Sequence, residues 1–325
     1  MIAGIASMAL PIFSQTEVDP AKDRGSTGAR RFCKKHYEAS SGQPSRGAAP
    51  ASTKQGTLTN LGTRRKDDMD LKGKRIVVTG GGSGIAEATV YAYVKEGARV
   101  VLLDINDDAG ARVAQAACKL AGSNVAEYLH CDISHRDEVF SVFAQAVDFL
   151  GGLDALAMIA GIEQQKASED LVEADLFSQI SVHLYGTVFT NGAAFKYMRE
   201  TGGSIINYSS YAGVVGMTRM GSYSAAKAAV LGFTRVVAQD WGGYRIRVNA
   251  VLPAVQTPLS EQWFKEMGSE RKKEMETHLK RIVPLGGKLG SVDDAANLNV
   301  FLASDKSSFL TGQMIGVDGG NTMPR

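Results

Sequence analysis

The 325-residue chain has only three cysteines, Cys33, Cys118 and Cys131, and their odd number and wide spacing argue against a disulfide framework and against a cysteine-based metal centre. A reducing compartment suits such a chain, and no metal site is expected. No apolar run approaches the roughly 20 residues needed to cross a bilayer, so no membrane span is expected. Excess charge is scarce as well, with a formal net charge of +2. That sum hides an asymmetry: Met1 to Lys66 carries eleven Lys/Arg against four Asp/Glu, or +7, which leaves −5 for the rest. An apolar content of 44% is enough for a sizeable core, and a soluble globular protein is expected.

The basic excess therefore belongs to a leader. Residues 1–70, which include "RRFCKKHYEASSGQPSRGAAPASTKQG", are rich in Ser, Gly, Ala and Pro, sustain no periodicity and are expected to be disordered. Three readings stand for them: an organelle transit peptide, a plain tail, or a misassigned start, with translation beginning at Met69. The opening "MIAGIASMALPIFSQ" has neither the arginines of a basic amphipathic helix nor the positive start of a secretory signal. A cytoplasmic location is expected, with organelle import through the leader as the alternative. The leader's charge is read as solvated rather than as a nucleic-acid site.

From Lys74 onward, short β-branched runs alternate with amphipathic stretches. The runs are "RIVVTG", "ARVVLLD", "VAEYLHCD", "LDALAMIAG", "GSIINYSS", "IRVNAVLP" and "QMIGVD". Helices are expected over Ala86–Glu96, Asp108–Ala121, Asp137–Leu150, Glu173–Glu200, Tyr223–Trp241 and Val292–Ala303. This alternation predicts an α/β fold: a doubly wound, seven-stranded parallel sheet with helices on both faces, formed by residues 71–325 as one domain. Ligands of such sheets lie beyond the carboxyl ends of the strands. Between the first strand and first helix stands "TGGGSGIA", Thr79 to Ala86. Glycines there allow tight positive-φ turns and close backbone approach, and the following helix N-terminus favours a phosphate.

Several motifs carry a resemblance. "TGGGSGIA", "CDIS", "AGI", "GSIINYSS", "YSAAK", "RVNAVLPAVQTP" and "FLASDKSSFLTGQMIGVDGG" stand in the order and at the spacing of the short-chain dehydrogenase/reductases. The chain resembles these single-domain Rossmann-type oxidoreductases from about Leu71 to Met323. The resemblance implies a nicotinamide dinucleotide whose pyrophosphate lies against Gly80, Ser83, Gly84 and Ile85, with Ala86 replacing the last glycine of the family pattern. Asp104, about twenty residues beyond the turn, is placed to accept both ribose hydroxyls of NAD and to repel the 2′-phosphate of NADP. Neither Ser83 nor Ile105 and Asn106 supplies a base for that phosphate, so NAD is the expected cofactor and NADP the alternative. Asp132 and Ile133 resemble the adenine contacts, although Asp132 also reads as a helix cap. Val255 and Thr257 correspond to contacts of the nicotinamide carboxamide, and Ala160 and Gly161 to a close backbone approach.

The chemistry is expected from Ser210, Tyr223 and Lys227. Tyr223 and Lys227 are four apart and share a helix face, and the family uses the tyrosine as general acid/base. Lys227 and the positive nicotinamide ring would lower the phenol's pKa, and Lys227 would also bind ribose; Ser210 would hold the substrate oxygen. There are three departures from the family. Met158 and Ile159 replace two asparagines, Ala254 replaces a glycine, and His183 occupies the place of a fourth catalytic residue, asparagine. His183 reads either as a relay residue that titrates near 6.5 or as a satisfied, partly buried histidine.

The leading expectation is an NAD-dependent oxidoreductase acting on a secondary alcohol or ketone. The alternatives are an NADP-dependent 3-oxoacyl thioester reductase and a cofactor-binding scaffold with little turnover. The stretch Pro258 to Pro284, with Trp263, Phe264 and Met267, resembles the family's substrate loop. Together with Ile162, Met217 and Met220 it suggests a small apolar substrate, although such residues also serve as core packing. By resemblance the chain is a homotetramer or homodimer.

Overall fold

Ile76, Val77 and Val78 lie wholly out of solvent in the first strand, β1 (Arg75–Thr79), which has a helical layer over each face. The structure, a computed structural model, describes residues 69–322; the first 68 residues of the leader lie outside them, and Met69 is the first residue described. The chain continues through α1 (Gly84–Lys95), β2 (Arg99–Asp104), α2 (Asp107–Ala121), β3 (Ala126–His130), α3 (Arg136–Leu150) and β4 (Ala155–Met158). Next come α4 (Glu173–Ile180), a π-helical turn (Ser181–Tyr185), α5 (Gly186–Met198), β5 (Gly203–Tyr208), α6 (Ala212–Val215) and α7 (Gly221–Gly242). The last part holds β6 (Ile246–Pro253), β7 (Val255–Gln256), α8 (Pro258–Glu266), α9 (Ser269–Ile282), β8 (Gly290–Ser291), α10 (Val292–Ala303) and β9 (Met314–Val317).

The seven expected strands form one sheet in the order β3-β2-β1-β4-β5-β6-β9, and every pair is parallel. Alternate strand residues go to opposite layers, as the two-residue period requires. Ile76, Val78, Val100 and Leu102 pack with Val90, Tyr93, Val113 and Val300 of α1, α2 and α10. Val77, Val101, Leu103 and Leu156 pack with Val139, Phe143, Ala194 and Val237 of α3, α5 and α7. Each fully buried large side chain contributes roughly 1.5–3 kcal/mol of transfer free energy. After β3 the chain returns to lay β4 beside β1, so the strand order reverses between them. The crevice beyond their carboxyl ends is where Gly80, Ala160 and Gly161 meet.

Two expectations are corrected. The stretch Glu173–Glu200 is not one regular helix, because the π-helical turn separates α4 from α5. The stretch Pro258 to Pro284 is largely helical: Thr257 caps α8, accepting from Ser260 N at 3.2 Å, with Pro258 at the first helical position. No helix among the described residues is long and apolar enough to cross a membrane.

Candidate active site

Three side chains converge past the end of β5. Ser209 donates its hydroxyl to Lys227 O at 2.8 Å and its N–H to Val251 O at 2.9 Å, which pins the strand end to α7 and β6. A buried trio tightens the same corner: Asn207 donates to Asn191 Oδ1 at 3.1 Å and to Thr234 Oγ1 at 3.0 Å. A methyl group at Gly213 would lie 2.8 Å from the carbonyl carbon of Lys227, so α6 can rest on α7 only without one. Ser210 is thereby set beside Tyr223, close enough for its hydroxyl to act on the phenol. Lys227, 4% exposed, donates its ammonium to Tyr208 O at 3.0 Å and lies 5.7 Å from the centre of the Tyr223 ring.

Burial pushes the Tyr223 phenol above its ordinary value; the Ser210 hydrogen bond opposes this and the Glu163 charge adds to it. Burial also brings the Lys227 ammonium down to about 7, and in the polypeptide by itself Lys227 is not among the groups that shift the phenol. Glu163 was not foreseen, since nothing in its local sequence marks it.

His183 lies in the π-helical turn and is 1% exposed. Its Nε2–H donates to Ile162 O at 2.8 Å, its ring stands edge-on to Tyr223 with centroids 5.3 Å apart, and its carbonyl accepts from Thr187 Oγ1 at 2.6 Å. The Nδ1 atom has no hydrogen-bond partner among the described residues. Burial, reinforced by Lys227, holds the imidazole down at about 3, so the expected titration near 6.5 is replaced by a ring neutral throughout the physiological range.

The opposite wall is the glycine turn. Gly80 has φ +71°, and a methyl there would lie 2.8 Å from Ala160 Cα, so the turn and the loop after β4 touch through backbone. Thr79, which the sequence reading passed over, ties the loop after β4 to the end of β1: its Oγ1 accepts from Ile159 N and Ala160 N, both at 3.1 Å. Gly161 faces inward, with Lys227 Nζ 3.7 Å from where its Cβ would stand. Ser83 is the exposed N-cap of α1 and makes no side-chain cap of its own, and Gly84, at φ +60°, has open space before it. Uncapped N–H groups behind an open glycine turn fit a pyrophosphate. Asp104 ends β2 at the same edge, accepting from Gly82 N and Asn106 N, each at 2.9 Å.

Other expected residues have structural partners. Asp132 accepts from Ser134 N at 2.9 Å in the turn before α3, but the N-cap of α3 is His135, so Asp132 closes that turn and does not cap the helix. Ile133 is buried against Gly186, Val255 is buried in β7, and Thr257 caps α8. Met220 is 5% exposed, against 48% for Met217 and 41% for Ile162, so it belongs to the packing rather than to an open wall. The Trp263 side chain lies outside those described.

A family profile described as "Enoyl-(Acyl carrier protein) reductase" matches residues 80–322. The 2,5-dichloro-2,5-cyclohexadiene-1,4-diol dehydrogenase of Sphingobium indicum is 40% identical over 257 residues, which cover 78% of this chain and 98% of the relative. The 3-oxoacyl-[acyl-carrier-protein] reductase of Thermotoga maritima is 37% identical over 254 residues, covering 78% and 99%. The crystal structure of levodione reductase matches with a TM-score of 0.72 at 29% identity, covering 77% of this chain and 98% of that one. This chain belongs to the short-chain dehydrogenase/reductase family.

As a short-chain dehydrogenase/reductase the chain is an oxidoreductase enzyme, and the family works with NAD or NADP. In this member the imidazole of His183 is buried, neutral and tied to Ile162 O, a position that an asparagine amide can also fill with an N–H. His183→Asn is therefore expected to keep kcat within about threefold of the parent. A loss beyond about a hundredfold in steady-state assays would make the imidazole itself indispensable.

Proposed function

We propose that this enzyme interconverts a secondary alcohol and a ketone with NAD, using Tyr223 as general acid/base. The observation that carries this reading is the convergence of Ser210, Tyr223 and Lys227 beside Gly161, across the crevice from an uncapped glycine turn. Gly80, Ser83, Gly84 and Ile85 would hold the pyrophosphate and Asp104 the adenosine ribose. Asp132 and Ile133 would lie at the adenine, and Ala160, Gly161, Val255 and Thr257 near the nicotinamide. The bound dinucleotide supplies or accepts the hydride. Tyr223 gives its proton to the substrate oxygen in reduction and takes it in oxidation. Ser210 fixes that oxygen against the phenol, and the Lys227 ammonium stabilises the phenolate. An intact trio argues against a scaffold without turnover, because packing alone has no need of all three.

NAD is expected to exceed NADP by at least about tenfold in kcat/KM, equivalent to roughly 1.4 kcal/mol, because the Asp104 carboxylate would face a 2′-phosphate. Asp104→Ala combined with Ile105→Arg should narrow or invert that ratio. An unchanged ratio in this variant would place cofactor choice elsewhere.

For the substrate, the relative named for a cyclohexadiene diol supports a small cyclic alcohol. Exposed Ile162 and Met217 offer apolar contact, and the exposed Glu163, whose charge reaches Tyr223, suits a second hydroxyl. The 3-oxoacyl reductase relative supports a thioester reductase as the second reading. A panel of cyclic secondary alcohols and diols with NAD tests the first; faster turnover of a 3-oxoacyl thioester with NADPH would replace it. Exposed Phe177 on α4 and Val236 on α7 support a homotetramer or homodimer built on these helices, which light scattering can read.

A further inference from the structure

Arg112, on α2, was not among the expected site residues, yet its guanidinium lies on the glycine turn. Its Nη2 donates to Gly82 O at 2.9 Å, while Gly82 N donates to Asp104 Oδ2 at 2.9 Å. A cation and the ribose-facing carboxylate thus flank one residue. The cation is matched by Glu87 of α1 in a two-pronged pair, Nη1 to Oε1 at 2.6 Å and Nη2 to Oε2 at 3.0 Å. Tyr91 steadies that carboxylate by donating its hydroxyl to Oε1 at 2.9 Å, and the arginine holds the Glu87 carboxyl below its usual range.

We propose that Arg112 is a withheld 2′-phosphate ligand: Glu87 keeps its guanidinium on the turn, so that Glu87 and Asp104 together set the choice of dinucleotide. The inference rests on the reading of the glycine turn as a dinucleotide cradle. A guanidinium fork matches a phosphate as well as a carboxylate, so whichever anion already holds it decides its availability. Replacing Asp104 alone removes one repelling charge and leaves Arg112 occupied. Replacing Glu87 as well frees the fork, and the Arg112 side chain, 54% exposed, has room to turn toward the adenosine ribose. The Glu87 side chain is only 22% exposed, so a glutamine at position 87, which can still accept the Tyr91 hydrogen bond, is the replacement that best preserves the local packing.

The test is equilibrium binding of NADH and NADPH to the full chain, read by nicotinamide fluorescence. In an Asp104→Ser background, adding Glu87→Ala should tighten NADPH by at least about tenfold, and adding Arg112→Met should cancel that gain. Glu87→Gln serves as a second neutral replacement if the alanine variant does not fold. NADPH affinity indifferent to Glu87, or a gain that survives Arg112→Met, would overturn the proposal. A parent protein that binds NADPH as tightly as NADH would instead overturn the NAD reading, and the comparison within the Asp104→Ser background would still decide the role of Arg112.

Discussion

Tyr223→Phe should reduce kcat by a factor on the order of 10²–10⁴, the range spanned by a positioned general acid/base, while dinucleotide affinity stays close to that of the parent. The ring itself is retained, so its edge-on contact with His183, 5.3 Å between centroids, survives. Ser210 keeps a partner too, because its Oγ also accepts from Ala212 N at 3.1 Å. Only the proton carrier is lost. The phenol's role as proton carrier gives the pH dependence its sign, and burial moves the transition to higher pH. With the phenol held above its ordinary value, oxidation, which needs a proton acceptor, speeds up as pH rises, and reduction, which needs a donor, slows. Both slopes should vanish in the phenylalanine variant. If that variant kept more than about a tenth of the rate, the assignment of acid/base chemistry to this phenol would fail. Lys227→Ala, by contrast, should damage both turnover and dinucleotide binding, because the ammonium has two duties.

The parallel sheet was legible because a strand buried on both faces must be apolar throughout, and runs such as "RIVV" and "RVVLLD" admit few other structures. Ser210, Tyr223 and Lys227 were legible through spacing within and between neighbouring elements. Other features depend on contacts that no spacing encodes. The π-helical turn at Ser181–Tyr185 leaves helical periodicity nearly intact on either side, so Glu173–Glu200 read as one helix. Thr79 meets Ile159 N and Ala160 N, and Arg112 meets Glu87, only because β1, β4, α1 and α2 are assembled. The neutrality of His183 likewise follows from burial, which a free histidine's reference value cannot anticipate.

Gly161→Ala is expected to have the second large effect, on the order of 10²-fold in kcat, the scale that misplacing catalytic groups by about an ångström produces. The backbone at this residue is not in the left-handed region, so the new methyl brings no dihedral strain and acts through space alone. It would lie 2.6 Å from His183 Cε1 and 3.2 Å from His183 Nδ1, well inside van der Waals contact. The imidazole cannot simply withdraw: Nε2 is held by Ile162 O at 2.8 Å, and Ile162 follows the substituted residue in the chain. The ring must therefore shift against Tyr223, or the loop after β4 must lift away from Gly80. Overpacking of this kind costs about 1–3 kcal/mol, and each kcal/mol lowers Tm by about 2–4 °C in a domain of some 150–250 residues. A double-mutant cycle isolates the contact. In a His183→Ala background the obstructing ring is gone, and Gly161→Ala should be nearly neutral in Tm because its methyl enters the vacated space. An equal Tm loss in both backgrounds would mean that Gly161 does not abut His183 in solution, and the close packing of the β4 loop onto the π-helical turn would have to be abandoned.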